Sequence, residues 1–149
     1  MIPSDYQLIR EVTIADFDAV ISLMQRTPGI TVRDADSRES TERYLARNPG
    51  LSFVAEFAGV IVGCVMCGHD GRRGYLQHLI VEPEFRNRGI GRRLWRRCLD
   101  ELEKLGIQKT HLDVLAGNEL ANRYWGNAGW ARRDDIHRYS FNRSGNRNA

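Results

Sequence analysis

The run Val81-Glu82-Pro83-Glu84-Phe85-Arg86-Asn87-Arg88-Gly89-Ile90-Gly91-Arg92-Arg93-Leu94 constrains this chain more than any other, because it passes from an apolar strand through a glycine turn into a basic amphipathic helix. Gly89 and Gly91 lack Cβ atoms, so backbone N–H groups there can approach an anion closely. The helix that follows aims its free amides and the positive end of its dipole at the same place. This is the outline of a phosphate cradle, and a diphosphate is the ligand it points to; the plain alternative is a glycine turn that opens a surface helix. The position three after Gly91 is Leu94, so the dinucleotide-binding glycine fingerprint fails, and no Gly-Lys-Ser/Thr triplet supplies a triphosphate-binding loop.

The length of 149 residues suits one domain with a single core, expected over residues 1–143, with a disordered tail over 144–149. A hydrophobic share of 42% and a charged share of 28% are those of an ordinary soluble protein. No run approaches the roughly 18 apolar residues of a membrane span, and the Met1-Ile2-Pro3-Ser4-Asp5-Tyr6 start lacks the build of a signal peptide. A cytoplasmic protein with no membrane partner is expected. The net charge of +3 is modest, but Arg86, Arg88, Arg92, Arg93, Arg96 and Arg97 crowd the motif and its helix. So concentrated a patch suits a polyanionic small ligand better than nucleic acid. Arg93, Arg96 and Arg97 read as a solvated helix face, whereas Arg86, Arg88 and Arg92 lie in or beside the turn.

Cys64 and Cys67 are three apart in an apolar strand, which puts their sulfurs on opposite faces. Cys98 cannot complete a four-cysteine zinc site, and no His-Glu-x-x-His helix occurs, so no metal and no disulfide is expected.

Periodicity predicts a strand over residues 6–12, a helix opened by Thr13 and Asp16, and a second helix over 37–47 closed by Asn48-Pro49-Gly50. Two apolar strands over 51–57 and 60–67 are joined by Ala58-Gly59 as a hairpin, and a turn-rich link leads to a strand over 75–82. The motif helix extends to Lys104, followed by a parallel strand over 110–115, a short helix opened by Gly117-Asn118, and a final hairpin of 130–133 with 136–141.

Arg86-x-x-Gly89-x-Gly91 resembles the Arg/Gln-x-x-Gly-x-Gly/Ala signature of the GNAT acetyltransferase superfamily. Asn118-Glu119-Leu120-Ala121-Asn122-Arg123-Tyr124-Trp125 with Gly129-Trp130 is similar to the family's Asn-x-x-Ala-x-x-Phe-Tyr-x-x-x-Gly-Phe segment. Together with the element order, the resemblance spans nearly the whole chain. It implies the α/β (α+β) GNAT fold: a mixed, mostly antiparallel sheet with about four helices in a single domain. It also implies acetyl-CoA as cosubstrate, and direct transfer of the acetyl group to a primary amine of a small molecule, peptide or protein in a ternary complex. A non-catalytic acyl-CoA-binding sensor is the alternative, and a homodimer through the C-terminal strands fits the family.

Carried over by position, the resemblance implies that Leu79, Ile80 and Val81 offer backbone groups to the pantetheine arm. Arg86, Asn87, Arg88, Gly89, Ile90, Gly91 and Arg92 would form the pyrophosphate cradle. Asn118 matches a residue that contacts the CoA arm, and it reads equally as a helix cap. Trp125 stands where many members place a tyrosine acid, with Tyr124 one residue earlier. One residue along a helix is a rotation of about 100°, so Tyr124 does not simply replace that phenol; it is the candidate acid, with core packing as its alternative. Asp113, Glu82 and His78 are the candidate bases, each with a structural alternative as a paired carboxylate, a turn residue or a hydrogen-bonded imidazole. The acceptor site is expected around residues 27–37 and 126–136, where Asp34, Asp36, Asp134 and Asp135 supply negative charge.

Overall fold

The computed structural model describes residues 7–149. The expected start of the first strand, Tyr6, lies outside them. β1 (Gln7–Glu11) runs into Thr13, whose backbone N–H donates to Asp16 Oδ2 at 2.9 Å, so one 3-10 turn (Ile14–Asp16) feeds α1 (Phe17–Arg26). Val20, Leu23 and Met24 recur at helical spacing on the buried side of α1. A second 3-10 turn (Asp34–Asp36) precedes α2 (Arg38–Arg47), where Ser37 caps by accepting from Ser40 N at 3.1 Å.

β2 (Phe53–Phe57) and β3 (Val60–His69) form the expected hairpin, with Ala58 at φ 49° and Gly59 at φ 80° supplying the two left-handed residues of a tight turn. β4 (Gly74–Val81) returns antiparallel to β3, and the crossover through α3 (Ile90–Lys104) brings β5 (Thr110–His111) parallel to β4. The five strands lie in the order β1-β2-β3-β4-β5. Side chains alternate across this sheet. Val54, Cys64, Met66 and Ile80 join Val20, Leu23 and Met24 of α1 in one layer. Gly63 brings its backbone against Leu94 of α3 on the other face, where Arg97 also stacks over Phe53 at 4.8 Å.

The chain divides after Leu112 into two compact units. In the second, Asn118 opens α4 (Glu119–Asn127), and Asn142, Ser144 and Asn146 bond one another through two turns near the end of the chain. Two sequence expectations are corrected here. β5 stops at His111 rather than 115, since Asp113 turns to Arg138 and Leu115 is exposed, leaving no burial to support a longer strand. The final hairpin over 130–141 does not form. Arg132 pairs with Asp134 and Arg133 with Asp135, two residues apart, while Tyr139 and Phe141 are 92% and 89% exposed. A strand draws its stability from a ladder and one buried face, and this segment has neither.

Arg10 ties the first elements together. Its Nη1 and Nη2 donate to Asp16 Oδ2 and Oδ1, both at 2.8 Å, and its Nε donates to Glu56 Oε1 at 2.7 Å. The guanidinium, opposed in part by burial, holds the Asp16 carboxyl below its ordinary value. A carboxyl depressed in the folded state stabilises above its unfolded pKa, and that contribution disappears as pH falls through the folded value. The urea midpoint is therefore expected to fall below about pH 4. Asp16→Ala should lower stability at pH 7 by on the order of 2 kcal/mol and flatten that acid limb, as read by urea titrations across pH.

Candidate active site

At the end of β4 the chain crosses a single 3-10 turn (Pro83–Phe85), and Arg86 folds back so that its Nε donates to Val81 O at 2.9 Å. Asn87 (φ 62°) and Gly89 (φ 81°) then enter the left-handed region, which turns successive backbone N–H groups toward a common side. No side chain caps the start of α3, so the amides of Ile90, Gly91 and Arg92 have no acceptor within the helix. The buried side chain of Ile90 anchors this turn in the core, while Arg86, Arg88 and Arg92 are exposed around it. A Cβ on Gly89 meets nothing within 4 Å, so its backbone angle, not crowding, requires glycine. Arg88 lies over the Phe85 ring at 5.3 Å, which fixes one guanidinium beside the turn.

The strand leading to this cradle has an open edge. β4 pairs with β5 only at Gly74–Thr110 and Tyr75–His111, so Leu79, Ile80 and Val81 lie beyond that short ladder. On its other side, the β3–β4 register shifts between Cys64 and Met66, and His78 sits opposite at φ 52°. His78 Nε2 lies 3.1 Å from Asp36 Oδ1, with both side chains largely buried. A cavity of about 30 Å³ opens beside them, walled by apolar side chains of α1 such as Val20, Ile21 and Met24.

The remaining sequence candidates are differently placed. Glu82 is in the same unit, but its Oε1 lies 2.7 Å from Arg26 Nη2, across to the end of α1. In the second unit Asp113 pairs with Arg138 at 2.9 Å, both exposed. Asn118 Oδ1 accepts from Ala121 N at 3.1 Å, which is the helix-cap role. Tyr124 packs edge-on to Trp125, and Trp125 edge-on to Trp130, each at 5.0 Å. Sequence reasoning counted Asp36 only among the acidic loop residues and missed its bond to His78, 42 positions away. The available signal was His78 itself, a polar ring in an apolar strand that needs a buried partner.

Residues 17–130 match the acetyltransferase (GNAT) family model. The chain belongs to the GNAT family. It is 42% identical to an acetyltransferase of Pectobacterium atrosepticum over 104 residues, covering 70% of this chain and 73% of that one. An acetyltransferase of Photorhabdus laumondii is 40% identical over 108 residues, covering 70% and 72%. Among solved structures, an aminoglycoside N-acetyltransferase in complex with CoA superposes with a TM-score of 0.72 at 19% identity, covering 91% of this chain and 94% of that one. The PaiA N-acetyltransferase of Thermoplasma acidophilum, in complex with coenzyme A, gives 0.73 at 19% identity over 82% and 87%. The fold is thus the GNAT fold expected from the sequence, a mixed five-stranded sheet with four α-helices among the described residues.

The three cysteines of this GNAT protein are free and fully buried. Cys64 lies in the α1 layer, where burial pushes its thiol up to about 12, while the Cys67 and Cys98 thiols donate to the backbone oxygens of Gly68 and Leu51. Among the described residues no group of three or more His, Cys, Asp or Glu side chains is placed to hold a metal ion, and no helix is long and apolar enough to cross a membrane. A thiol that is neither ionised nor accessible does not react. The native protein is expected to leave all three cysteines unmodified by a thiol-specific chromogenic disulfide at pH 8, and to release three equivalents of chromophore in denaturant.

Proposed function

We propose that this chain is an acetyl-CoA-dependent N-acetyltransferase that passes the acetyl group directly to a primary amine in a ternary complex. The observation that carries this reading is the uncapped N-terminus of α3, bracketed by left-handed Asn87 and Gly89 and continuous with the open edge of β4. Helix amides and a positive dipole end suit a pyrophosphate, and a strand edge suits the two amides of a pantetheine arm. In this reading the backbone of Arg88 through Arg92 holds the pyrophosphate, Arg86 braces the loop through Val81 O, and Leu79, Ile80 and Val81 orient the arm. Bound acetyl-CoA supplies the acyl carbon and a thiolate leaving group.

Support comes from the relatives, among which solved neighbours are complexed with CoA, with acetyl-CoA and with a bisubstrate analogue of CoA and acetylneamine. The buried cysteines favour direct transfer over a covalent acetyl-enzyme, since no accessible thiolate is at hand to attack the thioester. The arginines around the cradle add long-range attraction for a polyanion, so affinity should fall with ionic strength.

Calorimetric titration with acetyl-CoA, with ATP and NAD as controls, tests the cofactor. Selective acetyl-CoA binding is expected, and the Gly89→Trp, Gly91→Trp double variant should weaken it by more than tenfold while retaining the wild-type circular dichroism spectrum. Absence of binding by a folded wild-type protein overturns the reading. Binding without steady release of CoA thiol across a panel of primary amines would leave a sensor in place of an enzyme.

A further inference from the structure

His78 occupies the left-handed backbone region at φ 52°, which is strained for a residue with a side chain. The register shift beside it turns β4 at this point, and the imidazole reaches Asp36 in the link between α1 and α2. Asp36 is fixed in turn, because its Oδ2 accepts from Arg33 N at 2.9 Å. A carboxylate accepts hydrogen bonds, so the neutral tautomer that fits this contact is the one with the proton on Nε2 and the lone pair on Nδ1. Asp36 and His78 are the only titratable side chains among those lining the adjacent cavity, whose other walls include Phe17, Val20, Ile21, Met24 and Met66.

His78 immediately precedes Leu79, Ile80 and Val81 in β4, and the cradle follows them. A ligand anchored at the cradle and laid along that edge therefore has its far end at His78. The carboxylate that directly follows this strand, Glu82, is held by Arg26, and its charge is already compensated.

We propose that His78, oriented by Asp36, accepts the proton of the acceptor ammonium, and that the acceptor is a primary amine with a short apolar group that enters the cavity. This rests on the acetyltransferase reading above. Nδ1 takes one proton from R–NH3+, leaving R–NH2. The amine lone pair forms the N–C bond as the thioester C–S bond breaks, a second ammonium proton leaves with the thiolate as thiol, and His78 returns its proton to water. The product is R–NH–acetyl. Asp36 is a positioning residue that keeps the basic nitrogen turned to the amine. A cavity of about 30 Å³ with mainly apolar walls suits a small apolar group better than an extended polar chain.

The test uses the full chain with isobutylamine and the tetrapeptide Val-Gly-Gly-Gly as two sources of that chemistry, and spermidine as the polar comparison. His78→Asn keeps a residue that tolerates the left-handed conformation and removes the base. It should lower kcat about 100-fold, with acetyl-CoA affinity by calorimetry and amine KM within about twofold of wild type. Asp36→Asn should lower kcat about tenfold, and nitrogen-15 spectra of the apo protein should show the His78 ring moving from the Nε2–H tautomer to a mixture. Ile21→Phe, which fills the cavity, should raise KM for isobutylamine at least fivefold and leave that for spermidine unchanged. The ratio of kcat/KM for isobutylamine and the tetrapeptide separates a free amine from a peptide N-terminus. Retention of kcat within threefold in His78→Asn, or an unchanged tautomer in Asp36→Asn, overturns the proton-acceptor assignment. Preference for spermidine overturns the acceptor class. Loss of acetyl-CoA binding in the wild type instead removes the underlying enzyme reading.

Discussion

The geometry of the molecule depends on where the ladder between β4 and β5 stops. It consists of two pairs, Gly74–Thr110 and Tyr75–His111. Gly74 sets its position, because a Cβ there would lie 2.6 Å from Leu102 Cδ1 and 2.7 Å from Thr110 Oγ1, so only glycine lets α3 and β5 close on β4 at this point. Beyond Tyr75, the register shift and left-handed His78 add local twist and carry β4 onward without β5. A parallel neighbour along the whole of β4 would consume the edge that the proposed donor needs. The short ladder leaves the strand anchored at its beginning and open toward the cradle at its end.

The same strand separates two environments. Toward α3 lie closely packed residues, with Leu94 and Leu102 fully buried and Cys67 and Cys98 side by side. Packing of this kind holds the N-terminus of α3 in place, so its uncapped amides are preorganised for the anion that the proposed function assigns to them. Toward α1 the packing includes a small cavity and the Asp36–His78 pair. Alternation along β3 assigns the two environments, with Cys64 and Met66 on one side and Gly63, near Leu94, on the other. A rigid anion site and a less filled acceptor site can thus be supported by opposite faces of one strand.

How much of this was legible in the sequence follows from the range of the interactions involved. The glycine motif, the Thr13–Asp16 helix start, the second helix beginning near residue 37 and the Ala58-Gly59 hairpin were all readable, because each is decided within a few residues by backbone conformation and local hydrogen bonds. The opposite facing of Cys64 and Cys67 followed from strand period alone. The final hairpin failed because alternation over 136–141 says that a strand is possible, not that a ladder partner and a buried face await it. The pairs that give the site its chemistry, His78 with Asp36 and Glu82 with Arg26, are separated by 42 and 56 positions and left no periodic trace. His78 was recognisable as a polar residue in an apolar strand, but its left-handed backbone was not, since histidine at that position does not announce a bulge.

The ion pairs themselves distinguish the site from the scaffold. Asp16 and Glu56 share Arg10, Glu82 meets Arg26, and Glu101 meets Lys104 and Arg97. Guanidinium and ammonium groups keep their charge throughout the physiological range, so the Arg10 and Arg26 pairs are fixed dipoles that link one element to another, while the Glu101 pairs lie within α3. Asp36 also lies in a sheltered position, but its partner is an imidazole, the proton acceptor of the proposed mechanism. Neutralising Glu82 with Arg26 has a further effect. It removes a bare negative charge from the strand end that leads into a cradle built for a polyanion. The chain thus places charge-fixed partners in the scaffold and an imidazole beside a carboxylate next to the strand residues where the proposed mechanism moves a proton.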